Sequence, residues 1–101
     1  MSQQLTVRIT RRAARHIEQA ALWWEENRPL APGALRDELE EAVGMLRIQP
    51  QIGAIARSVR IGDVRRIHLS RVHYYLYYRV RGDTIDVLAL WHTSRGLGPN
   101  I

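Results

Sequence analysis

The stretch HYYLYYRVRGDTIDVLALWHTSR, residues 73–95, sets tyrosines at 74, 75, 77 and 78 among arginines and closes on Trp-His-x-x-Arg. Guanidiniums, phenols and an imidazole in one short span suit chemistry on a phosphodiester. Cleaving RNA without a metal needs a base for the 2′-hydroxyl proton, an acid for the leaving 5′-oxygen, and cations around the crowded phosphate. Arg66, Arg79 and Arg95 are the available cations. His92 is the leading base or acid, because imidazole is the side chain that exchanges protons near neutrality. His68 and Tyr78 are lesser candidates. On this reading the catalytic set is His92, Arg66, Arg95 and Tyr78.

The same residue types have other uses. Tyrosine is a favoured strand residue that packs in cross-strand pairs. Tyr, Trp and Arg are also the common anchors of protein interfaces, and a mixture of arginine and tyrosine suits single-stranded RNA. Read as a binding surface, the candidate residues are Arg65, Arg66, Tyr75, Tyr77, Arg79, His92 and Arg95. Metal chemistry is not expected, since histidines 16, 68, 73 and 92 lack ligand spacing and the chain has no cysteine. No phosphate loop, nucleophile elbow or dinucleotide fingerprint occurs, and no cofactor is expected. Arg81-Gly82-Asp83 reads as a hairpin turn.

Several elements must position these residues. Leu5–Ile9 alternates and predicts a short strand. Thr10 can cap a helix from Arg11 to about Asn27, whose apolar face is Ala13, Ile17, Ala20, Ala21 and Trp24. Of Trp23 and Trp24, one is expected in the core and the other over the helix hairpin or against a partner. Arg28–Gly33 breaks the helix. A second helix is predicted from about Pro32 to Ile48, with Leu35, Leu39, Ala42, Val43 and Leu46 as its buried stripe, and Pro50 ends it. Pro50–Gly53 reads as a turn. Val64–Leu69, Tyr74–Val80 and Thr84–His92 read as strands, the last one apolar enough to be central. GLGPNI reads as a loop.

The order is strand, helix, helix and a three-stranded antiparallel meander, βααβββ. Packing both helices on one sheet face gives a single two-layer α+β domain over residues 1–101. Alternation then turns Leu76, Tyr78 and Val80 toward the helices, and Arg66, His68, Tyr75, Tyr77 and Arg79 away. His92 is expected to share that open face with the arginines.

Charge supports a gripping surface. The net charge is +5 and every one of the fifteen basic residues is arginine, a bias that a GC-rich genome would explain. Residues 18–41 carry seven acids against two arginines, a net of −5. Residues 57–82 carry seven arginines against Asp63 alone, a net of +6. A polarised chain of this kind points to an anionic partner for its basic half. Arg11, Arg12 and Arg15 also crowd the start of the first helix, against its dipole. No run is long enough to span a membrane and the N-terminus does not read as a signal peptide; with no cysteine, a reducing cytosol suits the chain.

Three pieces together carry a resemblance. They are WWEENRPLAPGALRDELEEAVGMLRIQP, then QIGAIARSVRIGDVRRIHLSRVHYYLYYRV, then IDVLALWHTSR. In their order and spacing the chain resembles the ParE/RelE superfamily of small toxins from type II toxin–antitoxin modules, and is closer to the ParE branch. The resemblance implies neutralisation by a cognate antitoxin, a small acidic protein, in a toxin–antitoxin hetero-oligomer. It implies either inhibition of DNA gyrase, as in ParE-like members, or cleavage of mRNA on the ribosome, as in RelE-like members. A degenerate toxin that only binds its antitoxin is a third reading. RelE-like nucleases use a lysine or glutamate and a C-terminal tyrosine or histidine. This chain has no lysine, no glutamate after Glu41 and no tyrosine after Tyr78, which favours the gyrase reading.

Overall fold

Thr10 joins the first two elements. β1 (Thr6–Ile9) ends there, and the Thr10 hydroxyl accepts a hydrogen bond from the Ala13 N–H at 3.1 Å, capping α1 (Arg11–Asn27). Such a cap is worth about 1 kcal/mol. The computed structural model describes residues 4–57, 59–96 and 98–101. α1 buries Ala13, Ala20, Ala21 and Trp24, mostly small side chains that let it lie close on the sheet. Trp24 is the core tryptophan, and its indole N–H donates to the Ala31 carbonyl at 2.7 Å. Trp23 stays exposed, with the Arg28 guanidinium over its ring.

α2 (Ala34–Ile48) starts slightly later than expected and buries Leu35, Glu38, Ala42 and Leu46. The buried acid has a partner: Glu38 accepts from the Arg71 backbone N–H at 3.1 Å and from Arg71 Nε at 2.9 Å, while Glu41 accepts from Arg71 Nη2 at 3.1 Å. These hydrogen bonds raise the Arg71 pKa above its ordinary value. Glu38 and Glu41 of α2 therefore both meet Arg71.

Four more strands follow: β2 (Ala54–Ile55), β3 (Val64–Leu69), β4 (Tyr74–Arg81) and β5 (Thr84–His92). The sheet order is β1-β5-β4-β3-β2, with β1 parallel to β5 and the other pairs antiparallel. The expected α+β architecture is present, with the brief β2 added where the sequence reads as turn and loop. The apolar β5 lies between β1 and β4, as its composition predicts. Gly82, at φ 60°, makes the β4–β5 hairpin, a backbone angle that glycine adopts without steric cost.

Both helices cover one face. Leu69, Leu76, Tyr78, Ile85, Val87 and Leu90 pack with the helix residues in the main core. Val64, Tyr77, Leu88 and Ala89 form a second, smaller cluster on the far face. The faces exchange partway along β5. Tyr77 pairs with Ala89 but Tyr78 pairs with Val87, so Leu88 is an extra residue, a β-bulge. Beyond it, Ala89 and Trp91 point to the far face while Leu90 and His92 point to the helix side. No helix among the described residues is long and apolar enough to cross a membrane.

Candidate functional site: the far face of the sheet

β3 and β4 alternate as predicted and bring Arg66, His68, Tyr75 and Tyr77 to the far face. The register sets Arg66 opposite Tyr77 and His68 opposite Tyr75. The Arg66 guanidinium carbon lies 3.9 Å from the Tyr75 ring centre, and its Nη1 donates to the Tyr77 hydroxyl at 3.3 Å. The His68 ring stands 5.2 Å from Tyr75. On β5, Trp91 is the register partner of Tyr75, and Arg95 stacks on Trp91 at 3.6 Å.

Arg66, Tyr75, Tyr77, Trp91 and Arg95 line a groove of about 500 Å³, with Arg60 on its rim and Pro99 and Asn100 in its wall, while His68 lies outside it. No carboxylate lines it among the described residues. The face is less open than alternation predicts. Pro99 is buried, Ile101 packs on the Tyr77 cluster, and the Ile101 carbonyl accepts from the Arg60 N–H at 3.2 Å. Arg12 donates to the Asn100 carbonyl, which gives one of the crowded α1 arginines a local role. Tyr77 is consequently buried, at 1% exposure, and presents only its hydroxyl to Arg66. The expected GLGPNI loop is a loop over residues 98–101, but it covers part of the sheet; Leu97 lies outside the described residues.

Arg79 occupies the other end of the same face, in register with Val64 and Asp86. Asp86 is approached by Arg8 at 3.9 Å and Arg81 at 4.0 Å. The buried Arg79 Nε has no hydrogen-bond partner among the described residues.

Three of the predicted site residues lie elsewhere. Arg65 turns to the helix side, where its Nη1 donates to the Gly53 carbonyl at 2.7 Å and the Gln51 carbonyl at 3.3 Å, tying down the turn before β2. Tyr78 is fully buried. Its hydroxyl accepts from the Gly53 N–H at 2.9 Å and donates to the Pro50 carbonyl at 2.8 Å. Burial pushes its pKa up, and both hydrogen bonds of its hydroxyl go to the backbone of the turn after α2, away from the far face. His92 does not share a face with Arg66, because the bulge at Leu88 turns it to the helix side. There it meets the Tyr74 ring edge-on at 5.0 Å, and its Nδ1 accepts the Ser94 N–H at 3.1 Å. Among the described residues, Arg95 alone lines both the far-face groove and the smaller recess beside His92.

Two contributors escaped the sequence reading. Arg60 precedes β3 in an irregular loop, and only its charge could have singled it out. His16 lies on α1 between the buried Ala13 and Ala20, and that spacing was the available signal. Its Nδ1 accepts the Leu90 N–H at 3.3 Å, closing the β5 edge beyond the end of β1. Burial, then Arg12, Arg95 and Arg15, hold its pKa below the ordinary 6.5. No group of His, Asp or Glu among the described residues could hold a metal ion.

The far face thus carries a cationic, ring-lined groove with no imidazole in its wall among the described residues. Among solved structures, one described as the chromosomal ParDE TA system from P. aeruginosa superposes with a TM-score of 0.71 at 21% identity, covering 92% of this chain and 100% of that one. No curated protein matches. The sequence profile of the family described as ParE toxin of type II toxin-antitoxin system, parDE, matches residues 7–97. The chain therefore belongs to the ParE toxin family of type II toxin–antitoxin systems.

Proposed function

We propose that this chain arrests growth by binding and inhibiting DNA gyrase, catalysing nothing itself, and that a small acidic antitoxin neutralises it. Membership of the ParE family supports this reading. The observation that carries its non-catalytic part is the division of the candidate catalytic set. Tyr78 is enclosed in the core, and His92 sits on the opposite sheet face from Arg66. Purified toxin should block gyrase supercoiling or trap cleaved DNA. Gyrase left unaffected by a stoichiometric excess of toxin overturns the proposal.

A second reading, a ribosome-dependent mRNA endonuclease, has one observation in its favour. His68 lies on the same face as Arg66, against the same tyrosine ring. Mapping mRNA 5′ ends in a translation reaction separates the two. New ends that disappear with His68→Ala support the nuclease, and an unchanged set of ends removes it.

A further inference from the structure

The far-face groove is built from planes. Arg66 lies over Tyr75 and Arg95 over Trp91, at 3.9 and 3.6 Å, and those two rings are register partners on β4 and β5. Two guanidinium–ring stacks therefore stand side by side across the sheet, and Arg60 adds a third cation on the rim. Stacking fixes each guanidinium by its face and leaves its N–H edge for a ligand.

The protein does not neutralise these cations. All ion pairs among the described residues involve Arg8, Arg71 or Arg81; none involves Arg60, Arg66 or Arg95. The Arg66 guanidinium spends one N–H on the Tyr77 hydroxyl, and among the described residues the Arg60 guanidinium makes one long 3.5 Å contact, to Asn100 Oδ1. Three guanidiniums around one groove of about 500 Å³ make a site for an extended anion. Apart from Pro99 and backbone, the flat part of its wall is aromatic ring and guanidinium plane, which accepts the face of any base.

We propose that this groove binds a single strand of nucleic acid, with phosphates on Arg60, Arg66 and Arg95 and a base against the stacked planes. The site is independent of the gyrase reading, because it needs neither gyrase nor ribosome. It recognises backbone charge and stacking surface, so it discriminates little among sequences.

Fluorescence anisotropy of the full chain with labelled oligothymidylate and oligouridylate of about twelve nucleotides tests it. Expected dissociation constants are about 1–100 µM at physiological salt. The logarithm of the association constant should fall with log salt at a slope of about −2, the value for three phosphate contacts on a single strand. The paired substitution Arg66→Gln and Arg95→Gln should weaken binding about tenfold and flatten the slope to about −0.7. Arg11→Gln with Arg36→Gln removes the same charge from the helices and should change binding far less. The thymidylate and uridylate arms tell DNA from RNA; tighter binding of either supports the site.

Three results overturn the proposal. They are no binding at about 100 µM toxin, equal weakening by the helix pair, and polyglutamate of matching length competing as well as the oligonucleotide. If Arg66→Gln compromises folding on circular dichroism, the exposed Arg95→Gln and Arg60→Gln variants give the same readout.

Discussion

The Gly53 N–H and the Tyr78 hydroxyl, 25 positions apart, form a buried hydrogen bond of 2.9 Å that fastens the turn after α2 to the middle of the sheet. The same hydroxyl donates to the Pro50 carbonyl, so one phenol satisfies both sides of the turn. A Cβ on Gly53 would lie 2.6 Å from the Tyr78 hydroxyl and 2.9 Å from the Arg66 carbonyl. Tyr78→Phe should therefore cost about 1–3 kcal/mol, because it strands a buried N–H and carbonyl. Gly53→Ala should destabilise as well, since backbone cannot retreat. Urea denaturation of each variant measures this; a Tyr78→Phe variant as stable as the parent removes the fastening role.

That bond also marks where the sequence was readable. VRRIHL and YYLYYRV alternate cleanly, so the faces of Arg66, Tyr75, Tyr77 and Tyr78 followed from period alone. Reading failed where period is missing. Thr84–His92 is apolar on both faces around Leu88, so nothing in VLALW announces a bulge, and strict alternation puts His92 on the wrong side. β2 is two residues long and has no period to detect. The burial of Tyr77 depends on Ile101 and Pro99 returning across the sheet, a long-range contact that a loop-like GLGPNI does not encode locally.

The position of His92 predicts a separation of fold from function. His92→Ala removes an edge-on contact with Tyr74, and should cost about 0.5–1.5 kcal/mol of stability. It should leave growth arrest intact, and induction of the variant without antitoxin scores this. Loss of arrest from a variant that remains folded would return His92 to the functional set.

Glu38 and Glu41 both meet Arg71, yet their substitutions should differ. The Glu38 side chain is 10% exposed and also accepts the Arg71 backbone N–H, whereas the Glu41 side chain is 68% exposed. Exposed ion pairs contribute little, because water and salt screen them. Glu38→Ala leaves a backbone N–H and a guanidinium edge without their acceptor. Its unfolding midpoint should fall clearly, and that of Glu41→Ala should hardly move. Equal midpoints would show that the Glu38 bonds are not maintained in solution.

His16 should make stability fall in mild acid. Its neutral imidazole accepts the Leu90 N–H, and protonating Nδ1 abolishes that acceptor beside three arginines. Because the folded-state pKa lies below the ordinary 6.5, the unfolded chain takes the proton first. The contribution is complete above about pH 6.5 and is lost as pH falls from there toward the folded-state value. Glutamine at this position has a carbonyl that can accept the same N–H without titrating. The stability difference between the parent and His16→Gln, measured by urea denaturation from pH 8 down to about pH 5, should therefore move against the parent as pH falls, while the carboxylates and other histidines cancel. Added salt should shrink that trend by screening Arg12, Arg15 and Arg95. A pH-independent difference would mean that the imidazole does not hold this edge of β5.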